Sequence, residues 1–125
     1  MAKKDGSTGA IVMKLAEIKE ILKATVLYGE EQLHEEVFAG GAADLMEDVL
    51  QATAKGAVLL TGLTSVDVLR ICTVMDIGAV VFVRGKTPDE EVLDLARAYK
   101  IPVLLTRLSL FVSCGRLYKI GRAHV

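Results

Sequence analysis

Apolar residues at Leu15, Ile18, Ile21 and Leu22 recur at helical spacing, with Glu17, Lys19, Glu20 and Lys23 between them. This pattern predicts an amphipathic helix that opens at Met13-Lys14-Leu15 and runs to about Ala24. Thr25-Val26-Leu27-Tyr28 is a short strand stopped by Gly29, and Glu30 to Glu36 is a polar connector. Glu36-Val37-Phe38-Ala39 predicts a second strand ending at Gly40-Gly41. The helix after it sets Leu45, Met46, Val49, Leu50 and Thr53 on one face, with Gly56 where a C-cap glycine belongs.

From there the alternation is regular. Ala57 to Leu60, Ala79 to Val83 and Val103 to Leu105 are apolar runs without polar alternation. Each is followed by a Gly- or Thr-containing turn and a helical pattern: Val66 to Met75, Pro88 to Tyr99, and Leu108 to about Tyr118. Strands of this kind are buried on both faces, which a parallel sheet covered by helices provides. The expected fold is a single α/β domain over residues 13–119. It has a mostly parallel sheet of about five strands joined by short right-handed crossovers. The start of the helix after Thr87 reads as a cap, with Thr87 at the N-cap, Pro88 at the first helical position and Glu90 three residues on.

Both ends look foreign to this pattern. Residues 1–12 are small and polar until Ile11 and Val12, which predicts a disordered leader with Met13 as the natural start. Residues 120–125, Ile-Gly-Arg-Ala-His-Val, back-translate to a string that matches a common sequencing-adapter oligonucleotide. They are read as a non-native tail, so His124 is set aside as a ligand. The leader and the tail each contribute +1, which takes the core from the chain's net −1 to −3.

Composition narrows the function classes. The chain is 52% hydrophobic but has no Trp and three each of Phe and Tyr, so bases would find few aromatic platforms. The charge offers no footprint for nucleic acid or an acidic membrane. No apolar run reaches the ~18 residues of a membrane span. Cys72 and Cys114 lie in apolar helical patterns, without a C-x-x-C pairing or a neighbouring His. They read as buried free thiols of a cytoplasmic protein rather than nucleophiles or metal ligands. His34, beside Glu35 and Glu36, reads as a solvated connector residue.

Candidate chemistry gathers in the strand-to-helix turns. In open α/β sheets ligands bind beyond the carboxyl ends of the strands. Gly41 and Asp44, then Thr61, Gly62, Thr64 and Ser65, then Arg84, Gly85 and Lys86, and finally Thr106 all occupy such positions. If the sheet is parallel, they converge on one edge. Glycine amides there would receive a phosphate or carboxylate, and Arg84 or Lys86 would supply counter-charge from a small pocket with Asp44 nearby. The same residue types also serve turns and helix caps, which is the competing structural account. Neither G-x-G-x-x-G nor G-x-x-x-x-G-K-[ST] occurs.

Several stretches together resemble the stand-alone DRTGG-domain proteins of anaerobic bacteria and archaea. They are Met13 to Leu22, Ala43 to Leu50, Leu59 to Thr64, Val81 to Lys86 and Cys114 to Tyr118. The resemblance implies an α/β domain similar to the N-terminal domain of HPr kinase/phosphorylase, a module also found within some phosphotransacetylases and beside CBS domains. It does not extend to the kinase's catalytic half, which carries the P-loop. Glu47 stands where Ser is common and Ser65-Val66 where Asn-Pro is common. Of the string that names the family, Thr61-Gly62 remain.

The expected function is therefore a non-catalytic regulatory domain that binds a small-molecule effector (a nucleotide, phosphate or carboxylate metabolite) at the carboxyl edge. No cofactor, metal, nucleic acid or membrane partner is expected. The alternative is a protein–protein interaction module, either a homo-oligomer or a partner of a metabolic enzyme. Leu108, Leu110, Phe111, Val112, Leu117 and Tyr118 make the last helix more apolar than one buried stripe requires. An enzyme is disfavoured because no positioned acid–base or nucleophilic pair is legible, and Asp44 and Arg84 would be the first positions to test for turnover.

Overall fold

Apolar runs without polar alternation need cover on both faces, and the central strands of this chain receive it. The computed structural model describes residues 9–122. Its strands are β1 (Gly9–Lys14), β2 (Thr25–Tyr28), β3 (Glu36–Ala42), β4 (Val58–Thr61), β5 (Ala79–Phe82) and β6 (Val103–Leu105). Its α-helices are α1 (Leu15–Leu22), α2 (Met46–Ala52), α3 (Val66–Met75), α4 (Glu90–Tyr99) and α5 (Leu110–Arg122), and a single 3-10 turn spans Glu30–Gln32.

The strands form one six-stranded sheet in the order β1-β3-β4-β5-β6-β2. The four central strands are parallel, with Leu59 paired to Gly41 and to Val80, and Leu104 to Val81. Both edge strands are antiparallel, β1 on β3 and β2 on β6. The sheet is thus mixed and one strand larger than about five. The extra strand comes from the expected leader: Gly9 to Val12 form the first part of β1, and Ala10 pairs with Ala39. Residues 1–8 and 123–125, with His124, lie outside the described residues.

Two apolar layers sandwich the sheet. On one face Leu15, Ile18 and Leu22 of α1 and Leu117 of α5 pack on Val58, Leu60, Val81 and Leu104. On the other, Val49, Val68, Leu69, Cys72, Val92 and Ala96 of α2 to α4 pack on Leu59, Val80, Phe82 and Val103. All four residues of β4 and of β5 are buried, as their uninterrupted apolar sequences require.

Three boundaries differ from the sequence reading for identifiable reasons. The strand expected to end at Gly40-Gly41 runs through both glycines to Ala42. Glycine is needed there because a Cβ on Gly41 would collide with the Ala52 carbonyl at the end of α2. Helix α2 buries Val49, and Thr53 just beyond it is also buried, but Leu45, Met46 and Leu50 face outward. Gly56, at φ +74°, shapes the turn into β4 and does not cap α2, whose C-cap is Thr53. The cap of α4 is Asp89, so Thr87 and Pro88 belong to the preceding loop.

Candidate functional site

Because β3 to β6 run parallel, their carboxyl ends share one edge of the sheet, and the turns leaving them meet there. The backbone of Ala43 donates to the Leu60 carbonyl at 3.1 Å, which fixes the turn after β3 beside the turn after β4. Asp44, next in the chain, reaches across. Its Oδ1 accepts the Gly62 N–H at 2.7 Å, and its Oδ2 accepts from Arg84 Nη1 at 3.0 Å. One carboxylate therefore ties together the turns after β3, β4 and β5.

Arg84 is aimed by its backbone. It holds φ +60°, a left-handed conformation that costs a non-glycine residue about 1–2 kcal/mol. Two backbone hydrogen bonds hold that turn, from the Arg84 N–H to the Leu108 carbonyl and from the Gly85 N–H to the Thr106 carbonyl, each at 2.8 Å. The guanidinium then lies over Gly62, where any Cβ would collide with Arg84 Nη2. A Cβ at Gly62 would thus push the guanidinium out of this position, while Gly85, at φ +68°, holds a conformation that favours glycine.

The pair is partly solvated, with 42% of the Arg84 side chain and 37% of the Asp44 side chain exposed. Desolvation pushes the Asp44 carboxyl up. The Gly62 N–H, the hydrogen bond and charge of Arg84 and the charge of Lys86 together outweigh it and hold the group below its ordinary value. Lys86 itself is exposed.

The remaining candidates divide. Thr61 is buried, and its hydroxyl accepts the Leu63 N–H at 3.0 Å, shaping the turn. Thr64 is half-buried in the same turn, and Ser65 is the backbone N-cap of α3, with no side-chain capping bond. Gly41 is the penultimate residue of β3, inside the strand and just short of the turn that carries Asp44. Thr106 is 1% exposed and its hydroxyl donates to the Leu22 carbonyl, so the interior consumes it. Asp44, Gly62, Arg84 and Lys86 are what the structure brings together at the surface of this edge. The sequence placed them near one another but did not reveal that Asp44 would occupy the Gly62 amide and Arg84 itself. The strand order is the signal, since the turns after β3 and β5 flank the turn after β4.

A concavity of about 320 Å³ opens at the opposite, amino edge, lined by residues that include Gly56, Cys72, Asp76, Gly78, Tyr99 and Lys100. None of the candidate residues lines it. Helices α3 and α4 end there. Their carbonyl ends carry partial negative charge and disfavour an anion. Among the described residues no group of three or more His, Cys, Asp and Glu side chains could hold a metal ion, and no helix is long and apolar enough to cross a membrane.

The family model of the DRTGG domain matches residues 17–119. The chain belongs to the DRTGG-domain family. No curated protein sequence matches it. The DRTGG fold is similar to a crystal structure of the CBS and DRTGG domains of the regulatory region of Clostridium perfringens pyrophosphatase, complexed with the activator diadenosine tetraphosphate. The TM-score is 0.70 at 19% identity, over 84% of this chain and 46% of that one. The chain therefore spans less than half of that structure, and the likeness establishes a shared fold.

Proposed function

We propose that this DRTGG domain is a non-catalytic regulatory module that binds a small anionic effector at the carboxyl edge of its sheet. One observation carries the reading: the Gly62 N–H and the Arg84 guanidinium, from two different turns, converge on the two oxygens of a single carboxylate. A backbone amide and a guanidinium so placed form an anion-recognition pair, and Lys86 adds charge beside it. That the pyrophosphatase regulatory region takes a nucleotide activator supports including nucleotides among the candidates.

A thermal-shift screen with nucleotides, diadenosine tetraphosphate, acetyl phosphate and small carboxylates tests this. A ligand at a hundred times its Kd adds about 2.7 kcal/mol of stability, a shift of several degrees for a domain of this size. Arg84→Gln should remove the shift. A flat response across the panel, or a shift indifferent to Arg84, overturns the proposal.

A second reading rests on α5. Phe111 is 88% exposed, with Val112, Tyr118 and Ile120 also outward, while Leu117 is buried and Leu108 and Leu110 pack on the core. This outward apolar face supports an interaction module, through a homo-oligomer or a metabolic enzyme partner. Light scattering tests the homo-oligomer version, which predicts a dimer lost in Phe111→Glu. A clean monomer at high concentration removes it.

A further inference from the structure

We infer that the carboxyl-edge site selects phosphoryl groups over carboxylates, and that Asp44 sets this selectivity by occupying the same donors itself. The inference rests on the reading of this edge as an anion site and adds a ligand class and a residue that determines it.

Asp44 satisfies the Gly62 N–H with one oxygen and Arg84 with the other. A free monocarboxylate brings the same two oxygens and the same single charge. It would exchange equal hydrogen bonds while losing the translational freedom that Asp44, tethered to its own backbone, does not lose. It gains nothing over the resident group. A phosphoryl group near neutral pH approaches a charge of −2 and carries three acceptor oxygens. It can take the Gly62 amide and the guanidinium and still present an oxygen and a charge to Lys86, whose field already reaches this position.

The exchange is sterically feasible. The Asp44 side chain is 37% exposed and the turn is pinned by its backbone, so the carboxylate swings into solvent without disturbing the core. Gly62 has no side chain of its own to shield its amide from an incoming oxygen once Asp44 leaves.

The test compares inorganic phosphate with acetate, at constant ionic strength and a pH where phosphate is mostly dianionic. Binding is followed through the Gly62 amide and Arg84 Nε signals of ¹H–¹⁵N spectra. The native chain should prefer phosphate by at least roughly fivefold. In Asp44→Asn, which keeps an acceptor for Gly62 but removes the competing charge, acetate should gain and the preference fall to roughly twofold, in proportion to a partly exposed ion pair. Asp44→Ser, with a shorter side chain, should behave likewise and covers a failure of the first variant to fold. Equal binding of the two anions by the native chain, or a preference unchanged in both variants, overturns the selectivity role and leaves the anion site standing. Weaker phosphate binding in the variants makes Asp44 a direct ligand contact and also overturns it. If neither anion moves the Gly62 or Arg84 signals in any form, the anion-site reading fails, and the inference with it.

Discussion

The Thr106 hydroxyl donates to the Leu22 carbonyl at 2.6 Å, joining the end of β6 to the end of α1 across 84 positions of sequence. The same oxygen accepts the Leu108 N–H at 3.2 Å. Leu22 is the last residue of its helix, so its carbonyl has no intrahelical partner and takes a side-chain donor instead. Thr106→Val keeps the shape and removes both bonds, stranding a buried acceptor and a donor. It should cost about 1–3 kcal/mol in urea unfolding, and Thr106→Ser should recover most of it. Anion binding at Arg84 should change little. A Thr106→Val protein as stable as the native one would mean the hydroxyl is dispensable.

Two glycines should respond to alanine with opposite signs. A Cβ at Gly41 would sit far inside van der Waals contact with the Ala52 carbonyl oxygen, and because that atom is backbone, α2 must shift to make room. Gly41→Ala should destabilise by about 1–3 kcal/mol or more. Gly115 lies exposed in α5, and a Cβ there meets nothing within 4 Å. Gly115→Ala should stabilise by about 0.5–1 kcal/mol through helix propensity alone. Equilibrium unfolding of both variants checks the pair, and equal signs would contradict the packing described for one of them.

Much of the fold was legible because the central strands carry a strong pattern. Ala57 to Leu60 and Ala79 to Val83 are apolar without interruption, and Val66 to Met75 is a helix with the bounds its spacing predicts. The differences have separate local causes: glycine reads as punctuation where packing decides, and the Thr87-Pro88 cap pattern falls in the loop before α4. Gly40 and Gly41 stay in the strand, and at Gly41 the end of α2 approaches too closely for a side chain. The helices α1, α3 and α4 end instead at Lys23, Asp76 and Lys100, non-glycine residues in the left-handed region that nothing in local sequence announces. Gly9 to Val12 pair with β3, a tertiary contact that overrides weak local preference. At the candidate site, parallel topology brought the turns to one edge as expected. That Asp44 would partner Arg84 required knowing the order of three strands, and that Thr106 would be consumed by Leu22 required knowing where α1 ends.

The thiols should report on the structure's openings. Burial pushes the Cys72 thiol up to about 12, and burial together with the Asp44 charge raises Cys114 as well. Thiolates are the reactive species, so both should label far more slowly than a free thiol in the native chain at pH 8. Cys72, 0% exposed, should react only through unfolding, while Cys114, half-buried, should react first. Asp44→Asn should speed Cys114 modestly by removing a nearby negative charge. Timed labelling read by mass spectrometry checks the order. Fast modification of Cys72 at a rate independent of denaturant would contradict its burial.

The Asp44 pair also predicts how stability should vary with acid. The carboxyl is held below its ordinary value of 3.8, because the Gly62 amide, Arg84 and Lys86 outweigh the desolvation that opposes them. A group whose folded value is depressed releases its proton more readily in the folded state. Its contribution is therefore complete above the unfolded value, and it disappears as pH falls through the folded one. With both partners more than a third exposed, solvent screening limits the pair to about 1 kcal/mol or less. Asparagine at position 44 is close in shape to the protonated acid. The native chain should therefore exceed Asp44→Asn in stability by up to about 1 kcal/mol at neutral pH. The gap should hold down to about pH 4, then close below 3.8 as the native carboxyl protonates. Raising salt at neutral pH should narrow the same gap, since the pair is accessible to ions. Urea unfolding of the two proteins at matched pH steps measures it directly. A gap that widens on acidification would require the opposite shift, and desolvation, not Arg84, would then govern this carboxylate.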